Sequence, residues 1–170
     1  HIAFMLLTVA VTAFLVLKYR DAEEKTVRRI LLVTWVLLAV LEIYKQLLYS
    51  YHVNWDYQWY AFPMQFCSTP MYVGFLAGII RKGKVHDALC AYLATFAVFA
   101  GAAVMVYPTS VFISIAGINI QTMVCHGLML TIGIYLLHSG YVPSSRGTLR
   151  RAVPVFLHCL QSVGCTDPDG

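Results

Sequence analysis

The sequence predicts an all-α fold, a polytopic transmembrane bundle of about six helices with its N-terminus outside. Three observations carry this expectation. Only 12% of the 170 residues are charged and the mean hydropathy is +0.70, whereas a soluble domain carries about 25% charged residues. Uncharged stretches cover 1–17, 30–41, 57–80, 88–137 and 152–166, and a helix needs about 20 apolar residues to cross a hydrocarbon core. Eleven of the twelve Lys and Arg residues fall in alternate loops between these stretches, the pattern of the positive-inside rule. Soluble globular and disordered chains are excluded. A net charge of +4, from 12 basic and 8 acidic residues, is too small for the basic face of a nucleic-acid binder.

The elements follow in order. Helix A spans 1–17, and its basic residues follow the apolar run, so it reads as a span rather than as a signal peptide. Lys18, Arg20, Lys25, Arg28 and Arg29 lie before helix B (30–49). The next loop has no basic residue but carries Tyr51, Trp55, Tyr57, Trp59 and Tyr60, an interfacial aromatic belt. Helix C (59–80) is followed by Arg81, Lys82 and Lys84. The uncharged run 88–137 is too long for one helix, and Tyr107-Pro108-Thr109-Ser110 divides it into D (87–107) and E (about 112–138). Arg146 precedes helix F (149–163), and Arg150 and Arg151 lie at its start. The basic loops A–B, C–D and E–F are assigned to the cytoplasm. One transmembrane domain is expected over 1–163, with 164–170 a tail outside it. His1 in place of Met, and that tail, lead us to expect a fragment of a slightly longer protein.

Polar residues inside the spans carry the functional signal, because an ionisable group is costly in a membrane. Helix B holds Glu42 and Lys45, three apart and so on one face, with Gln46 beside them. Helix C holds Gln65 and Cys67, and helix E carries Asn119, Thr122 and His126 as one stripe. Counting about 1.5 Å per residue from the ends assigned to the cytoplasm puts Glu42, Cys67 and His126 each roughly 20 Å deep. A carboxylate, a thiol and an imidazole thus share one level. Pro70 cannot donate to the carbonyl of Phe66, so helix C should break just after Cys67. Thr69-Pro70 reads as N-cap and first turn of a restarted half-helix, whose positive end would favour a thiolate. A thiol beside an imidazole is an activated nucleophile for a carbonyl.

Other readings compete. Glu42 can orient His126 or simply pair with Lys45. Cys90, Cys125, Cys159 and Cys165 read as apolar filler, and five cysteines give no disulfide pattern. Without C-x-x-C or H-x-x-x-H spacing no metal site or cofactor is expected. Gly74-Phe75-Leu76-Ala77-Gly78 and the alanines of helix D read as close helix packing. The alternative functions are a small transporter or channel-like protein with Glu42, Lys45, Asn119 and His126 lining a polar path, although the chain has no inverted repeat, and a non-catalytic membrane protein, for which no residue argues.

At these residues the chain resembles a known family. Trp59 to Gly78, Tyr107-Pro108 and Asn119 to Leu137 are similar to the YwaF-like integral membrane proteins, with Phe62-Pro63-Met64-Gln65-Phe66-Cys67 in place of a Leu-Pro-Leu-His-Leu-Cys element and His126-Gly127-Leu128 opening an apolar run. Glu42 matches the acidic residue late in the preceding helix, and Gln65 stands where the family often has His. A mammalian relative is an ether-phospholipid acyltransferase with a membrane-embedded Cys and His. The resemblance implies acyl transfer or lipid-ester hydrolysis on membrane phospholipids, with Cys67 as nucleophile and His126 as base. It also implies a multi-pass protein of a bacterial cytoplasmic membrane.

Overall fold

The computed structural model describes residues 1–57, 59–63, 66–143 and 145–164. Among them are six helices. These are α1 (Ile2–Tyr19), α2 (Glu24–His52), α3 (Thr69–Ile79), α4 (Lys84–Val106), α5 (Ala116–His138) and α6 (Arg146–Gly164). Four of these, α1, α2, α4 and α5, are long and apolar enough to cross a membrane, as the hydropathy pattern requires.

Helix α2 runs for 29 residues, about 43 Å, and so begins six residues before the uncharged stretch does. Glu24 lies in its first turn, where a carboxylate complements the helix dipole. Charge marks where the membrane ends, whereas the hydrogen-bonded helix continues past it.

The expected span 59–80 is corrected. Among its described residues only Thr69–Ile79 is α-helical, 11 residues and too short to cross a bilayer alone. Two 3₁₀ turns, Trp59–Ala61 and Phe66–Ser68, precede it. The chain enters this segment through Asn54 and Trp55, both with positive φ, and Pro63 lacks the N–H that a helix needs. The restart falls one residue earlier than expected, with Ser68 as N-cap and Pro70 in the first turn. The Thr69 hydroxyl is turned to the Tyr92 phenol on α4. Gln46 on α2 donates to the Ala61 carbonyl and anchors the first turn. At the other end, Arg28 donates to the carbonyls of Gly78 and Ile79 at 2.9 and 2.8 Å. These are the groups that the end of a helix leaves unpaired.

The expected span F is corrected as well. Helix α6 begins at Arg146, contains Arg150, Arg151 and Pro154, and is not among the helices apolar enough to cross a membrane. It lies against α4, with Phe156 stacked on Phe96 at 4.1 Å between ring centres.

The basic connections gather at one end of the bundle. The backbone N–H of Lys82 donates to Glu24, and the Tyr135 hydroxyl donates to the carbonyl of Tyr19. The main core lies between these connections and the middle of the bundle, formed by Val27 and Leu31 of α2, Val73 and Ala77 of α3, Leu89 to Ala94 of α4, and Ile132, Tyr135 and Leu136 of α5. Helix α1 leaves Ile2, Leu6, Val9 and Leu17 exposed, a surface for lipid tails. It is tied to α5 by the buried Thr12–Thr131 hydroxyl pair at 2.9 Å, the kind of link that holds helices together where water does not drive association.

Small residues allow the tightest approaches. A Cβ on Gly101 of α4 would lie 2.8 Å from the His126 carbonyl oxygen, and one on Gly133 would lie 2.6 Å from the Leu93 carbonyl oxygen. Gly133 therefore packs on the point where α4 widens into a π turn, Leu93–Ala97. The Gly74/Gly78 pair does not act as a two-point motif. Gly78 meets the Leu32 side chain, while nothing lies within 4 Å of a Cβ on Gly74.

Candidate functional site

A cavity of about 470 Å³ opens between α2, the turn before α3, α4 and α5, and it gathers most of the polar residues singled out in the sequence. Glu42 and Lys45 line it from α2, Cys67 and Ser68 from the 3₁₀ turn, and Gln121, Thr122, Cys125 and His126 from α5. The rest of the wall is apolar, including Leu38, Met71, Phe99, Val104 and Met129. Such a wall, with a few convergent polar groups, suits an amphiphilic molecule.

Each polar group is placed by its own helix. His126 is 7% exposed, and its Nδ1 lies 2.8 Å from the carbonyl oxygen of Thr122 one turn back. A carbonyl can only accept, so Nδ1 carries the proton and Nε2 is the basic nitrogen. No protein group among the described residues hydrogen-bonds to Nε2. Gly101 brings the α4 backbone against the His126 carbonyl, and Gly127 makes room for the Thr8 side chain of α1. The imidazole therefore sits at a closely packed level of α5.

Glu42 pairs with Lys45 at 2.8 Å and accepts from Gln46 Nε2 at 2.7 Å. Of its two sequence readings, the pairing is the one seen, since the Thr122 carbonyl already takes the proton of His126 Nδ1. The two charged side chains are 13% and 11% exposed. Lys45 has three donors, and Glu42 occupies one of them.

Cys67 is surface-accessible in the turn two residues before α3 starts. It is held next to the helix by the break that Pro63 and Pro70 impose. The N-terminus of α3 thus lies beside a thiol on the cavity wall, on the opposite segment from His126.

Two candidates fall elsewhere. Asn119 has the angular position of the polar stripe but lies only three residues into α5. Its side chain folds back on the preceding loop, accepting from the Ile113 N–H at 2.9 Å and donating to the Ile113 carbonyl at 2.7 Å. Gln65 lies outside the described residues.

Two residues of the cavity were not anticipated. Gln121, 5% exposed, donates to the Cys125 sulfur at 3.2 Å, and both face the cavity. Their spacing from His126, five residues and one, was the available signal. Ile118, Gln121, Thr122, Cys125, His126 and Met129 recur at steps of three and four, one face of a helix. No group of three or more His, Cys, Asp or Glu that could hold a metal occurs among the described residues.

The geometry is that of an integral membrane protein with a polar site buried between its helices. No curated protein and no solved structure matches the chain. The TMEM164 family matches residues 1–162, which is compatible with the YwaF-like resemblance of the sequence. With nearly its whole length matched, the chain belongs to the TMEM164 family.

Proposed function

We propose that the protein is a lipid-acting acyl-transfer enzyme, working on phospholipid esters through a thioester at Cys67. The observation that carries this reading is that Cys67 and His126, 59 residues apart in the chain, line one largely apolar cavity in which the basic nitrogen of the imidazole is left without a protein partner.

The cycle follows from the groups available. His126 Nε2 takes the thiol proton, and the Cys67 sulfur bonds to the ester carbonyl carbon of a phospholipid. The carbonyl oxygen becomes an oxyanion, and the Lys45 ammonium and the Gln121 amide are polar donors lining the same cavity. Collapse breaks the bond between the acyl carbon and the glycerol oxygen. That oxygen takes the proton from His126 and leaves as a lysophospholipid hydroxyl. A second hydroxyl, deprotonated by His126, then attacks the thioester and regenerates the thiol. Transfer results when the hydroxyl belongs to another lysolipid, and hydrolysis when it belongs to water.

The test is acyl release from a phospholipid radiolabelled in its acyl chain, with purified protein in nanodiscs. Cys67→Ala and His126→Ala should each abolish release and transfer while helix content by circular dichroism stays at the wild-type level. Undiminished activity in either variant overturns the reading. The Glu42–Lys45 pair on the cavity wall favours a second reading, a small transporter. That reading is supported if proteoliposomes show solute flux that Glu42→Gln stops and Cys67→Ala leaves intact.

A further inference from the structure

A second polar recess lies at the end of the bundle that carries the basic loops. It measures about 100 Å³ and is lined by Lys82, Asp87, Cys90, Tyr141, Thr148 and Arg151 among others. That is space for about three waters, enough for a small charged group and too little for an acyl chain. Cys90 on its wall and Ala100 on the wall of the large cavity are ten residues apart on α4, about 15 Å along the helix axis. The two sites are separate.

The two cations of this recess are not ion-paired: among the described residues neither the Lys82 ammonium nor the Arg151 guanidinium forms a salt bridge with a carboxylate. They come from different segments, the α3–α4 loop and the second turn of α6. Each is positioned by contacts other than a side-chain ion pair. The Lys82 backbone N–H donates to Glu24 at 3.1 Å, and its ammonium lies 5.1 Å from the centre of the Tyr141 ring. Tyr141 is fixed in turn by His86, whose Nε2 lies 2.8 Å from the phenol oxygen. Burial pushes the Tyr141 phenol above its ordinary range, so it stays a neutral hydroxyl. Arg151 extends from the turn of α6 that begins with Thr148, whose hydroxyl is bound to the Pro143 carbonyl.

We propose that the recess between Lys82, Tyr141 and Arg151 is a phosphate-binding site, occupied by the phosphate of an anionic lipid headgroup or of a free phosphate ester at the membrane face. A guanidinium fork suits phosphate oxygens and an ammonium adds a point charge. Basic pockets at this boundary between helices are suited to anionic headgroups. Lys82 and Arg151 against Asp87 give the lining residues a net charge of +1, which matches a singly charged phosphodiester better than a polyphosphate.

The experiment uses the full chain in phosphatidylcholine nanodiscs. Dihexanoyl phosphatidylglycerol and glycerol 3-phosphate serve as separate probes, and bound probe is counted by native mass spectrometry. Wild type should bind one or both saturably. Binding of the lipid alone assigns the site to a headgroup, and binding of both assigns it to the phosphate itself. Lys82→Gln with Arg151→Gln should weaken binding at least tenfold, while Arg20→Gln, a basic residue outside the recess, should change it less than twofold. Asp87→Asn should tighten binding severalfold, a gain that misfolding does not produce. No saturable binding of either probe overturns the proposal. So does a double variant that binds like wild type, or an Arg20→Gln loss equal to that of the double variant.

Discussion

Replacing Gly101 by alanine tests the geometry that seats His126. An alanine Cβ there would stand 2.8 Å from the His126 carbonyl oxygen and 3.0 Å from the Leu130 backbone nitrogen. Ordinary contact begins near 3.4 Å, so α4 and α5 must part by about 0.6 Å. The obstacle is backbone, which cannot swing aside as a side-chain tip can. Overpacking of this kind costs about 1–3 kcal/mol, offset by about 0.5–1 kcal/mol from replacing a helical glycine. Gly74→Ala is the matched control, because nothing lies within 4 Å of its Cβ, and it should stabilise by about 0.5–1 kcal/mol. In sodium dodecyl sulfate titrations followed by circular dichroism, the two variants should therefore differ by about 2 kcal/mol. Since a misplacement of about 1 Å can cost on the order of a hundredfold in rate, Gly101→Ala should also lower acyl transfer about tenfold. Equal stability of the two variants would refute the argument, because the helices would then yield at His126 without cost.

Three further outcomes follow from single contacts. Glu42→Ala leaves Lys45 as a buried charge without its partner and should destabilise the fold by about 3–5 kcal/mol, whereas adding Lys45→Met should restore most of the loss; detergent unfolding of both variants measures this. Asn119→Ala removes two hydrogen bonds to Ile113, and should cost about 1–2 kcal/mol and speed proteolysis in the loop 107–115, with thiol labelling of Cys67 unchanged. Tyr92→Phe removes the buried bond to Thr69 between α3 and α4 and should lower stability by about 1 kcal/mol, read in the same unfolding assay.

Much of the site was legible in the sequence because charge is so costly in a membrane. A carboxylate, an ammonium and an imidazole inside apolar runs had to share a protein-lined space, and Glu42, Lys45 and His126 do share one. Cys67 was legible through the prolines around it, which fix where helix geometry fails. Gln121 and Cys125 were passed over because an uncharged amide and a thiol are cheap enough to sit anywhere on a helix. Asn119 passed the angular test and failed the axial one, since a stripe drawn by periodicity does not say where the cavity ends.

The sequence by itself determined the class of fold, the boundaries of the apolar runs, the break between α4 and α5, and the few residues for which burial needs a reason. Those properties depend on local composition and on the cost of moving charge into hydrocarbon. Tertiary structure decided which proton the His126 ring carries, that Glu42 serves Lys45, that residues 146–164 lie against α4 with three arginines at their start, and that α3 is a short helix behind two tight turns. These depend on which backbone carbonyl, ring or neighbouring helix comes within a few ångströms, and a one-dimensional pattern holds no such distances.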